Sequence, residues 1–187
     1  MDHYDVVDLL LAQHARIEEL FAATLQSSGQ QRQMKLDELV RLLAVHETAE
    51  EEVVHPYARV TLEAGDEVVD ERLLEEREAK AMLVDLYERG INAPDFEQRL
   101  IELRDAVLMH ATAEERYEFK HLRESVDVDR LRTMAEAVRD AEMLAPTGPH
   151  AEVESPVTNL PFGSALAIAD RTRDLVRDRM QGGGPAT

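Results

Sequence analysis

The stretch His46-Glu47-Thr48-Ala49-Glu50-Glu51 decides the fold, because it returns as His110-Ala111-Thr112-Ala113-Glu114-Glu115. The shared pattern is His-x-Thr-Ala-Glu-Glu, and the second copy follows the first by 64 residues, from His46 to His110. In each copy the His and the first Glu are four residues apart, one helical turn, and so lie on one face. Around the first copy, Leu39, Leu42, His46, Ala49, Val53 and Tyr57 recur at three- and four-residue steps. Around the second, Leu100, Leu103, Val107, His110, Ala113 and Tyr117 do the same. Such spacing marks the apolar stripe of an amphipathic helix. The repeat therefore reads as two helix hairpins of similar build.

Working outward, the first hairpin begins with a helix over about Tyr4 to Leu25, with Val7, Leu10, His14, Ile17 and Phe21 on one face. Its partner runs from about Gln31 to Leu62, and Pro56 is expected to bend or interrupt it, having no backbone N–H to donate. Gly65 stops that helix, and Asp66 is placed to cap a third that reaches about Arg89. Gly90 to Pro94 closes the third, and Pro94 fits the first turn of a fourth that reaches about Arg123. A fifth spans about Asp129 to Leu144. Long helices with short connections and no alternating strand pattern predict an all-α fold: an antiparallel up-down four-helix bundle. The fifth helix and a C-terminal helix, about Phe162 to Met180, are expected to pack on it. The chain divides as residues 1–145 for the bundle and 146–187 for a linker, a docking helix and a mobile glycine-rich tail.

Composition bounds the function. Among 187 residues, 39 Asp and Glu face 21 Lys and Arg, a formal net charge of −18 that disfavours polyanionic partners such as nucleic acid or anionic lipid. Hydrophobic residues make up 44%, enough for a packed core, so the acidity does not signal disorder. There is no cysteine, which rules out disulfides, thiolate metal sites and a cysteine nucleophile. No apolar run approaches a membrane span and the first residues do not resemble a signal peptide, so a cytoplasmic location is expected.

The polar residues within the apolar stripes carry the functional reading. A lone buried His or a single His-x-x-x-Glu is ordinary in helical proteins. Two copies in matching positions, with His14 at the corresponding place between Leu10 and Ile17, are not explained by packing or by a solvated face. Burying imidazoles and carboxylates together is costly unless they are compensated, and a cation between the helices compensates several at once. Imidazole and carboxylate without thiolate suit iron or manganese better than structural zinc.

At these residues the chain resembles the hemerythrin-like family, also called the HHE cation-binding domain, over about residues 1–125. That pattern is a His in helix one, His-x-x-x-Glu in helix two, a His in helix three and His-x-x-x-Glu in helix four. The third helix has no His here. A family segment such as Glu-His-Arg-Glu-Val-Lys-Ala-Leu-Leu, laid on Glu75 to Leu83, puts Glu76 at the His position. Glu76 also shares a stripe with Val69, Leu73, Ala79, Leu83 and Leu86. Glu78 is the alternative from the repeat offset, but its stripe carries Glu71 and Asp85.

The resemblance implies two iron ions, oxo- or hydroxo-bridged. His14 and His46 would hold one, Glu76 and His110 the other, and Glu50 and Glu114 would bridge. It implies small-molecule ligands: oxygen, peroxide or nitric oxide. A carboxylate in place of an imidazole favours the ferric state, so redox turnover of peroxide is expected over reversible oxygen carriage. The rival expectation is a non-catalytic module that binds or senses oxygen, nitric oxide or iron. Tyr117, within a turn of Glu114, is a candidate hydrogen-bond partner for a bridging carboxylate. Tyr57 reads as packing. His55, His121, His3 and His150 read as structural or surface residues, and Glu51 and Glu115 as facing water or adjacent helices.

Overall fold

The computed structural model describes residues 4–144 and 161–182. Six helices follow one another: α1 (Val6–Gln26), α2 (Gly29–Thr61), α3 (Gly65–Arg89), α4 (Phe96–Ser125), α5 (Val128–Leu144) and α6 (Pro161–Gly182). The expected linker at 146–160 and the tail beyond Gly182 lie outside the described residues, as do His3 and His150. Neighbours in the bundle are α1 with α2, α2 with α3, α3 with α4 and α4 with α1, the closed circuit of a four-helix bundle. The fifth helix packs on α1 and α2, and α6 packs on α2 and α5. No helix among the described residues is long and apolar enough to cross a membrane.

Local chemistry sets the ends. Asp5 caps α1 through a reciprocal box, accepting from the Asp8 N–H at 3.0 Å while Asp8 accepts from the Asp5 N–H at 3.2 Å. Three expectations shift. Asp66 does not cap α3: the helix starts one residue earlier, at Gly65, behind Ala64 in the left-handed region. Gly65 presses against the end of α2, where a Cβ would lie 2.5 Å from the Ala58 carbonyl oxygen. Pro94 precedes α4 rather than opening it, leaving Asp95 as the residue before the first turn. Pro56 does not interrupt α2, which continues to Thr61. A proline removes one ladder bond, and α2 is embraced along its length by other helices.

Among the described residues the core has two large apolar parts and a small one where Val45 of α2 meets Ile168 of α6. One large part gathers Ile17, Phe21, Leu39, Leu43, Leu83, Phe96, Leu100 and Val107. The other gathers Val7, Leu10, Ala49, Val53, Phe119 and Leu122, and extends into α5 and α6 through Met134, Val138 and Val176. On α1, α2 and α4 the change from one part to the other falls at His14, at His46 to Glu50, and at His110 to Glu114. A polar layer thus crosses the bundle between two apolar halves.

Candidate metal centre

Each helix of the four-helix circuit delivers side chains to this layer. From α1 come Gln13 and His14, from α2 His46, Glu50 and His55, from α3 Glu76, and from α4 His110, Glu114 and Glu118. Glu50 and Glu114 are 0% exposed. One donor atom from each of His14, His46, Glu50 and Glu114 lies within 4.8 Å of the others. The His46 Nε2 stands 3.3 Å from Glu50 Oε1, and the His110 Nε2 stands 3.3 Å from Glu114 Oε1, the one-turn pairing the repeat encodes. His14 Nε2 sits between the two acids, 3.7 Å from Glu50 Oε1 and 3.6 Å from Glu114 Oε2.

The hydrogen bonds sort the ring nitrogens into two sets. Each Nδ1 is held from behind: His14 by Glu115 at 2.8 Å, His46 by the Gln13 amide oxygen at 3.0 Å, and His110 by Glu75 at 2.9 Å. Inside, His14 Nε2, His110 Nε2 and all four oxygens of Glu50 and Glu114 are buried without a hydrogen-bond partner. Buried polar atoms without partners are rare and costly. Six of them converging on one volume, with outer nitrogens fixed by carboxylate or amide, is the donor arrangement a cation requires. The residues fit a metal ion, and the absence of sulfur keeps the choice among oxygen- and nitrogen-preferring metals such as iron and manganese. The His14 ring also meets His46 edge-on at 4.7 Å and stacks on Phe119 at 5.4 Å, which fixes its plane.

Electrostatics give the metal-free state. Burial would lower the His14 imidazole, but the Glu114 and Glu50 carboxylates outweigh it and raise it to about 10. His110 is raised to about 10 against burial, by Glu114 and then Glu50. Burial, reinforced by the Glu114 charge, pushes Glu50 up to about 8. Burial also pushes Glu114 upward, yet the His110 and His14 imidazoles hold it below the ordinary carboxylate range. His46 falls below its ordinary value because it is buried beside His14. At neutral pH protons therefore occupy donors that a cation would take, so binding must displace them.

The structure brings His14, His46, Glu50, His110 and Glu114 together. Glu76 is buried in the same layer while Glu78 is exposed. Glu76 accepts from His55 Nε2 at 2.8 Å and lies 3.8 Å from Lys80. Tyr117 departs from expectation: it is 60% exposed, because the inward place one turn beyond Glu114 belongs to Glu118, at the i+4 position. His55, read as structural or surface, is buried between Glu76 and Glu118. Its helix touches α1, α3, α4, α5 and α6, so a residue off the main stripe of α2 still points into protein. Glu51 pairs with Lys80 and Arg173, and His121 takes a local bond from Nδ1 to the Tyr117 carbonyl. Sequence reasoning did not single out Gln13, Glu75, Glu115 as a ring holder, or Glu118. The i, i+4, i+8 series His110, Glu114, Glu118 was the available signal for the last.

A cavity of about 100 Å³ reaches the layer between α3 and α4. His14, His46, Glu50, Glu76 and His110 form its polar end, and Ala79, Met82, Val107 and Met109 line its approach.

A bundle whose core is crossed by inward-facing imidazoles and carboxylates defines a cation-binding helical protein. The sequence profile of the hemerythrin HHE cation binding domain matches residues 5–122, and the chain belongs to that family. A DNA nickase from Nostoc sp. is similar, 27% identical over 139 residues. That alignment covers 74% of this chain but 39% of the Nostoc protein, so the chain spans about two fifths of that relative's length. No solved structure matches the chain.

Proposed function

We propose that the polar layer holds two iron ions and that the protein is an oxidoreductase turning over small uncharged oxidants, peroxide foremost, with nitric oxide as a co-substrate. The observation that carries this reading is the set of six buried, partnerless atoms on His14, Glu50, His110 and Glu114. Following the family pattern, His14 and His46 would hold one ion and Glu76 and His110 the other, with Glu50 and Glu114 available to both. Bound iron would supply Lewis acidity and relay electrons, those that reduce one peroxide to water coming from a second peroxide, oxidised to oxygen, or from nitric oxide as the reductant.

The chain supplies the rest. Gln13, Glu115 and Glu75 hold the three rings so that Nε2 faces inward. Phe119 seals the layer on one side and Ile17 with Leu43 on the other, which keeps bulk water out. The small cavity, whose walls carry methionines and alanines beside Glu47, Glu75 and Glu78, suits a diatomic or peroxide-sized neutral molecule and disfavours a bulky or anionic one. Three carboxylates on the ions favour the ferric state, which suits turnover over reversible carriage. The nicking activity named for the Nostoc protein is not carried over, because a net charge of −18 opposes approach to a phosphate backbone.

Iron-loaded protein is expected to accelerate the decay of added peroxide, and His46→Ala and His110→Ala to abolish that acceleration. Stoichiometric binding of the oxidant with no turnover would sink the oxidoreductase reading.

A further inference from the structure

A second polar cluster lies next to the first, and two of its members, His55 and Glu118, fall outside the family pattern. His55 of α2, Glu118 of α4 and Glu76 of α3 are all buried, Glu118 at 1% exposure. The His55 Nε2 is bound at 2.8 Å to Glu76, which fixes the ring. The His55 Nδ1 faces Glu118 Oε2 at 3.5 Å, too long and misaligned for a hydrogen bond. Arg72 approaches Glu118 at 3.4 Å through Nε, again without a hydrogen bond, and spends another nitrogen on Glu75. As a result His55 Nδ1 and both Glu118 oxygens are buried and partnerless, as are both oxygens of Glu114. Donor atoms of His55, Glu114 and Glu118 lie within 4.8 Å of one another.

This repeats the logic of the first cluster with the ring nitrogens exchanged. One nitrogen is held from behind by a carboxylate, and the other points at unpaired carboxylate oxygens. The ion pairs to His55 and Arg72 leave both Glu118 oxygens buried without a hydrogen bond, an arrangement that buried carboxylates seldom adopt unless something else binds them. We propose that His55, Glu114 and Glu118 form a further cation site, one helical turn along α4 from the first cluster and joined to it by Glu114. Its ligand is a divalent metal that prefers nitrogen and oxygen, Mn²⁺ or Fe²⁺. Glu76 then acts as the positioning residue for His55. The proposal meets the metal reading of the first cluster at two residues: Glu114, which both clusters share, and Glu76, whose Oε1 holds His55 while its Oε2 has no hydrogen-bond partner.

Anaerobic titration of the full chain with Mn²⁺, followed by calorimetry and by electron paramagnetic resonance, tests it. Glu118→Gln and His55→Gln keep size and polarity, and circular dichroism of the metal-free variants checks folding. Each is expected to bind one Mn²⁺ fewer than the unmodified chain, or to bind that ion at least tenfold more weakly. The spin-coupling of that ion to its neighbour should vanish from the spectrum. Unchanged stoichiometry, affinities and spectrum in either folded variant overturns the site while leaving the first cluster standing. An unmodified chain that takes up no Mn²⁺ and no Fe²⁺ overturns both readings.

Discussion

Replacing Gln13 by Leu removes the one group that holds His46 from behind. The Gln13 amide oxygen accepts from His46 Nδ1 at 3.0 Å, and its own nitrogen donates to Glu142 at 2.9 Å. Gln13 is 3% exposed, so water cannot take over the bond, and leucine fills a similar volume without an acceptor. The orphaned Nδ1–H is worth about 1–3 kcal/mol, which the ring can recover only by turning its Nε2 away from Glu50. Loss of such an orienting partner typically weakens metal binding about 10- to 100-fold, roughly 1.4–2.7 kcal/mol. The dry surroundings place Gln13→Leu at the upper end. Glu115→Gln is the contrast. Glu115 is 42% exposed, and an amide oxygen can still accept from His14, so its effect should stay below about tenfold. The assay is Mn²⁺ affinity by chelator competition, with melting of the metal-free forms as a control. A Gln13→Leu affinity within threefold of the unmodified protein, or a larger loss in Glu115→Gln, would refute the view that buried ring holders set the site.

Metal-free protein should lose thermal stability as pH rises from about 6.5 to about 10. His14 and His110 are raised from 6.5 to about 10, so their stabilising contribution is complete below 6.5 and gone above 10. Glu50, raised from 4.5 to about 8, acts in the same direction up to pH 8. Metal-loaded protein should show the reverse trend, holding its ion at high pH and releasing it on acidification as protons reclaim the donors; parallel profiles for the two forms would contradict the proton-for-metal exchange. Phe119→Ala should destabilise the fold by about 3–5 kcal/mol and also weaken metal binding, since the ring stacks on His14; a chemical denaturation curve and a metal titration read the two effects. Gly65→Ala should lower the melting temperature by several degrees, at about 1–3 kcal/mol, because its Cβ would meet two carbonyl oxygens at 2.5 and 2.6 Å; an unchanged melt would contradict the close approach of α2 and α3.

The all-helical fold was legible because stripes such as Leu10, His14, Ile17 and Leu100, Leu103, Val107 have a period that only a helix satisfies. The duplicated His-x-x-x-Glu was equally plain, since helical geometry places both groups on the face that the apolar neighbours bury. That Glu76 is buried and Glu78 exposed could be read from their stripes. What escaped was set by tertiary surroundings. A one-stripe reading assumes that each helix has a wet side, and α2 has little of one, so that reading could not tell whether His55 was buried or exposed. Tyr117 was favoured for its nearness to Glu114, but the i+4 position, Glu118, is the one that points inward. The ring holders Gln13, Glu75 and Glu115 come from neighbouring helices, and no local pattern pairs them with their histidines.

The polar layer also bears on how the bundle moves. Native-state hydrogen exchange reports cooperative units, and such units tend to coincide with contiguous packed regions. Here the region around Phe21 and Phe96 and the region around Phe119 and Leu122 meet across a slab of imidazoles and carboxylates. With only protons in that slab, amides at the two ends of the bundle should exchange with different protection, as two loosely joined units. A cation that ties α1, α2 and α4 across the slab would fuse them, so that both ends open together and at the free energy of global unfolding.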